Sequence, residues 1–72
     1  MSHLGERIRV TRENAGLSQL ALAQRVGIDR SHISKLETGE TDGSLKTVKK
    51  IAEALGVPLS VLLEEPRQSA TG

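Results

Sequence analysis

No phenylalanine, tyrosine, tryptophan or cysteine occurs anywhere in the chain. Without aromatic rings the core has to be built from leucine, isoleucine, valine and alanine. Without cysteine, neither a disulfide nor a thiolate metal centre can form. The two histidines, His3 and His32, lie far apart in sequence, so neither a metal site nor a histidine-based catalytic constellation is expected, and no cofactor is implied. No cluster of nucleophile, base and orienting group stands out, which argues against an enzyme. No apolar run approaches the roughly 18 residues that a membrane span requires. The polar N-terminus does not read as a secretory leader, and the expectation is a soluble, cytoplasmic protein with no membrane partner. At 72 residues there is room for one domain, of a size that buries only a modest share of its surface.

Charge is scarce in sum but uneven in place. The net charge is +1. Residues 1–35 hold six basic against three acidic side chains, a balance of +3, and residues 36–72 hold four against six, a balance of −2. An anionic partner would favour the first half.

Glycine punctuates the chain. Gly16, Gly27, Gly39 and Gly56 each follow a segment with helical periodicity, the place where a left-handed residue commonly ends a helix. Ser18, Asp29 and Ser44 then offer N-caps, and Pro58 suits a first helical turn. Five helices are predicted, over 4–15, 19–26, 30–38, 45–55 and 58–64. Their inward stripes read as Leu20, Ala23 and Val26; Leu45, Val48, Ile51, Ala52 and Leu55; and Leu59, Leu62 and Leu63. Leu17 with Leu22, and Ile28 with Ile33, are placed to staple two of the helix starts. The domain is expected to span 4–65. From Pro66 to Gly72 the apolar period disappears, as in a frayed tail or the start of a linker.

The segment "DRSHISKLETG", Asp29 to Gly39, is anomalous. Only Ile33 and Leu36 in it are large and apolar. So short a connection around Gly27 and Ile28 forces a sharp angle with the preceding helix, which leaves the polar side of this segment facing outward.

"GLSQLALAQRVGIDRSHISKLETGE" followed by "SLKTVKKIAEALGV" resembles the lambda-repressor-like helix-turn-helix family, which includes the Xre and Cro/C1-type regulators of bacteria and phages. The match runs from about Leu4 to Glu64. Ala23 is small where the next helix crosses, Gly27 permits the turn, and Ile33 and Leu36 hold the polar helix to the core. The resemblance implies an all-α, five-helix DNA-binding domain that works as a homodimer on double-stranded DNA, with the third helix in the major groove.

It also implies roles. Arg30, Ser31 and Lys35 match base-reading positions, with His32 and Ser34 as helpers; Arg and Lys suit guanine, and Ser either kind of base edge. Ser18 and Gln19 at the start of the second helix, Thr38, and Lys46 match phosphate-facing positions. Arg12 and Glu37 match a buried structural ion pair. The dimer seam is expected at Val57, Pro58, Val61 and Leu62. His3 is read as merely exposed. The sequence departs from the pattern in the acidic loop at Glu40 and Asp42, in Thr11 where relatives carry leucine, and in the apolar Val10 and Val61.

The function implied is a sequence-specific transcriptional regulator in a bacterial or phage setting, acting at the nucleoid, a repressor in preference to an activator, on an inverted-repeat operator. A sensor domain or a partner protein could follow Pro66. The alternative is a helical protein-interaction module, or an antitoxin-type partner, that uses the same polar helix on a protein.

Overall fold

The computed structural model describes residues 3–63, without the side chain of His3. The readings of His3 as exposed, of Glu64 as helical and of 66–72 as a tail lie outside the described residues. Five helices follow in order: α1 (His3–Asn14), α2 (Gln19–Val26), α3 (Arg30–Thr38), α4 (Leu45–Leu55) and α5 (Leu59–Leu63). The expected limits of α2, α3 and α4 agree with these, whereas α1 lies one residue earlier at both ends and α5 begins one residue later.

Local chemistry sets the limits. Ser18 and Ser44 accept from the third N–H of their helices, Ala21 at 3.0 Å and Thr47 at 3.2 Å. Asp29 has the backbone geometry of an N-cap but makes no side-chain cap bond, so the capping expected of it is limited to its main chain: its carbonyl accepts from His32 and Ile33. At the other ends Gly27, Gly39 and Gly56 adopt positive φ of 88°, 84° and 73°. That conformation costs an L-residue roughly 1–2 kcal/mol.

The core is aliphatic and shared by all five helices. Ile8, Leu22, Ile33, Ile51, Leu62 and Val48 are fully buried, and Ala23, Leu36 and Ala52 nearly so. Leu17 and Ile28 pack partly buried against it, as residues stapling a helix entry do. Three expected core leucines do not reach it: Leu20, Leu45 and Leu63 are 52%, 62% and 44% exposed. Leu22 takes the inward place in the first turns of α2. Leu45 is the first residue of α4 and precedes the turn that meets the core. Leu63 follows Leu62 around the short α5 and faces away.

Leu62 itself is 1% exposed. It belongs to the core and has no surface to offer a second copy, which corrects its expected place in a dimer seam. The short α5 has one inward position for a large side chain, and Leu62 fills it.

Gly5 marks a close approach between α1 and α3. A Cβ there would lie 2.4 Å from the Leu36 carbonyl oxygen and 2.6 Å from that of Glu37. The first turns of α1 therefore rest directly on the end of α3, and only glycine leaves room. The sequence did carry a signal: a glycine inside a helix costs about 1 kcal/mol against alanine, which usually has a packing reason.

Candidate nucleic-acid interface

The turn between α2 and α3 is closed by two main-chain bonds onto one acceptor. Gly27 N–H donates to the Ala23 carbonyl at 2.8 Å and Ile28 N–H donates to the same oxygen at 3.0 Å. Ala23, 1% exposed, lets α3 cross close to α2. Ile33 and Leu36 anchor α3 by one face, and its other face is left to solvent.

That outward face carries the residues singled out from the sequence. Arg30, Ser31, Lys35 and Thr38 are exposed, while His32 and Ser34 are half-buried along its flanks. Asp29, Ser31, His32, Lys35, Glu40 and Thr41 line one shallow groove beside the helix. The Thr38 hydroxyl donates to the Lys35 carbonyl at 3.2 Å. Arg30, Lys35 and the exposed Lys46 take part in no ion pair among the described residues. The face is positive and uncompensated where Arg30 and Lys35 stand, and negative at Asp29 and Glu40.

The start of α2 adds polar donors. A first helical turn leaves its leading N–H groups without intrahelical partners, and the helix dipole makes that end partly positive. At α2 the Ser18 oxygen takes the Ala21 N–H and leaves the N–H groups of Gln19 and Leu20 to a ligand or water. Accepting that bond does not use the Ser18 hydroxyl proton.

Behind this face Arg12 and Glu37 meet. Arg12 Nε donates to Glu37 Oε2 at 2.6 Å and Nη2 to Oε1 at 3.2 Å, while Nη1 donates to the Leu17 carbonyl at 2.8 Å. Their side chains are 10% and 3% exposed. The bond to Glu37, and then the charges of Glu37 and Glu13, hold the guanidinium above its already high ordinary pKa, although burial works against them. The pair ties α1 to α3, and every Arg12 nitrogen is used. Gln19 joins it: its Nε2 donates to Glu37 Oε1 at 3.0 Å, and its Oε1 accepts from Arg30 Nη1 at 3.3 Å. No spacing rule links residues 12, 19, 30 and 37, and no sequence motif joins Gln19 to Glu37 or Arg30.

The corner of α4 and α5 holds the other expected surface. Pro58 is exposed, Val57 and Val61 are half-buried, and exposed Leu63 lies beside them in sequence. Arg7 Nη1 donates weakly to the Val61 carbonyl at 3.5 Å, and the buried Arg7 Nε has no partner among the described residues. No group of three His, Cys, Asp or Glu residues that could hold a metal ion occurs among the described residues. No described helix is long and apolar enough to cross a membrane.

A polar helix presented outward by a second helix across a glycine turn, within a five-helix aliphatic core, defines a helix-turn-helix protein. The chain belongs to the Helix-turn-helix family, whose sequence model matches residues 8–62. It is 32% identical over 62 residues to an immunity repressor protein of Bacillus phage phi105, covering 86% of this chain and 43% of that protein. The crystal structure of a hypothetical transcription factor from Neisseria superposes with a TM-score of 0.82 at 38% identity, over 88% of this chain and 72% of that one. The P22 c2 repressor, crystallised with a synthetic operator, superposes with a TM-score of 0.79 at 31% identity, over 89% of this chain and 97% of that one. The chain spans about half the length of the curated relatives it matches.

Proposed function

We propose that this chain is the DNA-binding part of a transcriptional regulator, a repressor in preference to an activator, which binds an inverted-repeat operator as a homodimer at the nucleoid. The observation that carries the reading is the outward face of α3, whose cations Arg30 and Lys35 have no ion-pair partner among the described residues on a fold that superposes on an operator-bound repressor. Unpaired cations on a rigid helix suit the major groove, where arginine and lysine donate to guanine O6 and N7. Arg30, Ser31 and Lys35 then face base edges, with His32 and Ser34 beside them. The Ser18 hydroxyl, the main-chain N–H of Gln19, Thr38 and Lys46 face phosphates.

One copy presents one recognition helix, and the acidic Glu40 and Asp42 reduce the number of phosphates it can neutralise, which weakens a single half-site. A two-fold dimer doubles the contacts and sets the two α3 helices about 34 Å apart, one turn of DNA. Val57, Pro58 and Val61 form the proposed seam, with exposed Leu63 in place of buried Leu62. The greater length of the relatives suits a sensor or partner-binding region beyond Pro66.

Selecting bound duplexes from a random pool tests the reading. Enrichment of an inverted repeat with half-sites one helical turn apart is the expected result. A pool that stays random overturns it and returns the protein-interaction reading, which the repressor names among the relatives do not favour.

A further inference from the structure

Asp29 opens α3 with its carboxylate uncommitted. Three helix starts share one backbone geometry, with φ and ψ of −76° and 167° at Ser18, −74° and 149° at Asp29, and −67° and 157° at Ser44. Each serine oxygen accepts the third N–H of its helix. At α3 the corresponding N–H, that of His32, donates instead to the Asp29 main-chain carbonyl at 3.0 Å, and the Asp29 side chain makes no cap bond. The carboxylate also joins no ion pair among the described residues. It is exposed and lines the shallow groove beside α3 with Ser31, His32, Lys35, Glu40 and Thr41. Resting on the DNA-binding reading above, we propose that Asp29 is a specificity-determining residue, which accepts from the N4 amino group of a cytosine in each operator half-site.

A carboxylate accepts and never donates, which leaves it few partners on a DNA duplex. Phosphates repel it. In the major groove guanine offers two acceptors, N7 and O6, and thymine an acceptor and a methyl group. Adenine offers a donor beside the acceptor N7, whereas cytosine offers its N4 amino group alone. Cytosine is the one base whose edge gives Asp29 a donor and sets no acceptor against it. Facing guanine or thymine, the carboxylate loses water and gains no bond. Rejection of the wrong base therefore contributes to selectivity alongside the bond to the right one.

The neighbours fit this division of labour. Arg30 and Lys35 only donate, which suits guanine, and Asp29 supplies the acceptor they lack, so that both members of a G·C pair can be read. Glu40 lines the same groove but follows the C-terminal end of α3, whereas base edges are met from the start of a recognition helix. The missing cap bond thus leaves the carboxylate available to DNA.

Asp29→Asn tests this with little change of shape. Asparagine is as good a helix start as aspartate, and its amide suits adenine N6 and N7 instead of cytosine. Bound duplexes are selected from a random pool with parent and variant. Affinities are then measured on the parent's operator, on that operator with guanine in place of the cytosine, and on random DNA. The parent is expected to select the cytosine and to prefer it over guanine by about 5- to 150-fold per half-site. Asp29→Asn loses that preference and selects adenine, or no particular base, at the same position. Asp29→Ala melts closer to the parent than Ser44→Ala does, because only Ser44 has a cap bond to lose. An unchanged selected sequence for Asp29→Asn, with binding raised equally on operator and random DNA, overturns the proposal, since removal of a mere surface charge gives that result. So does a parent operator without a selected cytosine, and so does an Asp29→Ala that melts as low as Ser44→Ala with its selected sequence unchanged, which marks a cap. A parent protein that selects no sequence overturns the DNA-binding reading itself, before any variant is made.

Discussion

Arg12→Met tests what holds α1 against α3. The change removes the bidentate bonds to Glu37 at 2.6 Å and 3.2 Å and the bond to the Leu17 carbonyl at 2.8 Å, while methionine keeps most of the aliphatic stem. Glu37, with a side chain 3% exposed, is left with the Gln19 amide as its one remaining side-chain donor among the described residues. Removing one partner of a buried pair costs about 3–5 kcal/mol, chiefly because a charge stays buried and unmatched. Since Gln19 still donates, the lower end, about 3 kcal/mol, is expected. A domain of this size has a total stability of about 4–11 kcal/mol, so the loss is a large fraction. With a urea slope of about 1 kcal/mol per molar, the unfolding midpoint moves down by about 3 M. The reasoning makes a second demand. If the cost is an unmatched charge and not lost attraction, Arg12→Met with Glu37→Leu recovers most of it. Equilibrium urea unfolding of parent, single and double variants, followed by far-ultraviolet circular dichroism, measures all three. A single variant within about 0.5 kcal/mol of the parent, the range of ordinary surface changes, refutes the argument, and so does a double variant no more stable than the single one.

Gly5→Ala forces a Cβ to 2.4 Å from the Leu36 carbonyl oxygen and is expected to cost about 1–3 kcal/mol, as overpacking does, despite alanine's better helix propensity; a rise in melting temperature would contradict the close approach. Ser44→Ala loses the bond from Thr47 N–H and should lower stability by about 1 kcal/mol in the same assay. Lys46→Ala should weaken operator and random DNA alike and flatten the salt dependence by about one phosphate, read by titration at several salt concentrations. Val61→Glu should stay folded but lose cooperative binding to the inverted repeat, and an unchanged binding curve on that repeat would move the dimer seam elsewhere.

Helix boundaries were legible in this sequence because their causes are local. A serine oxygen reaches an N–H three residues on, and a glycine at positive φ ends a helix whatever surrounds it. The polar run at 29–39 likewise showed that one face of α3 is free, since two apolar residues suffice to seat it. Side-chain fates at helix ends were not legible. Leu20, Leu45 and Leu63 satisfy a helical period yet stand exposed, and Leu62 lies in the core, because the direction in which each helix meets its neighbours decides which side of a terminal turn is covered. Asp29 has the type and backbone of a cap but not the bond. Gly5 is explained only by α3 lying on α1. The link from Arg12 through Glu37 and Gln19 to Arg30 spans three helices. Local forces chose each helix, but a hydrogen bond needs two groups within about 3 Å, and only the packing of α1, α2 and α3 brings these four together.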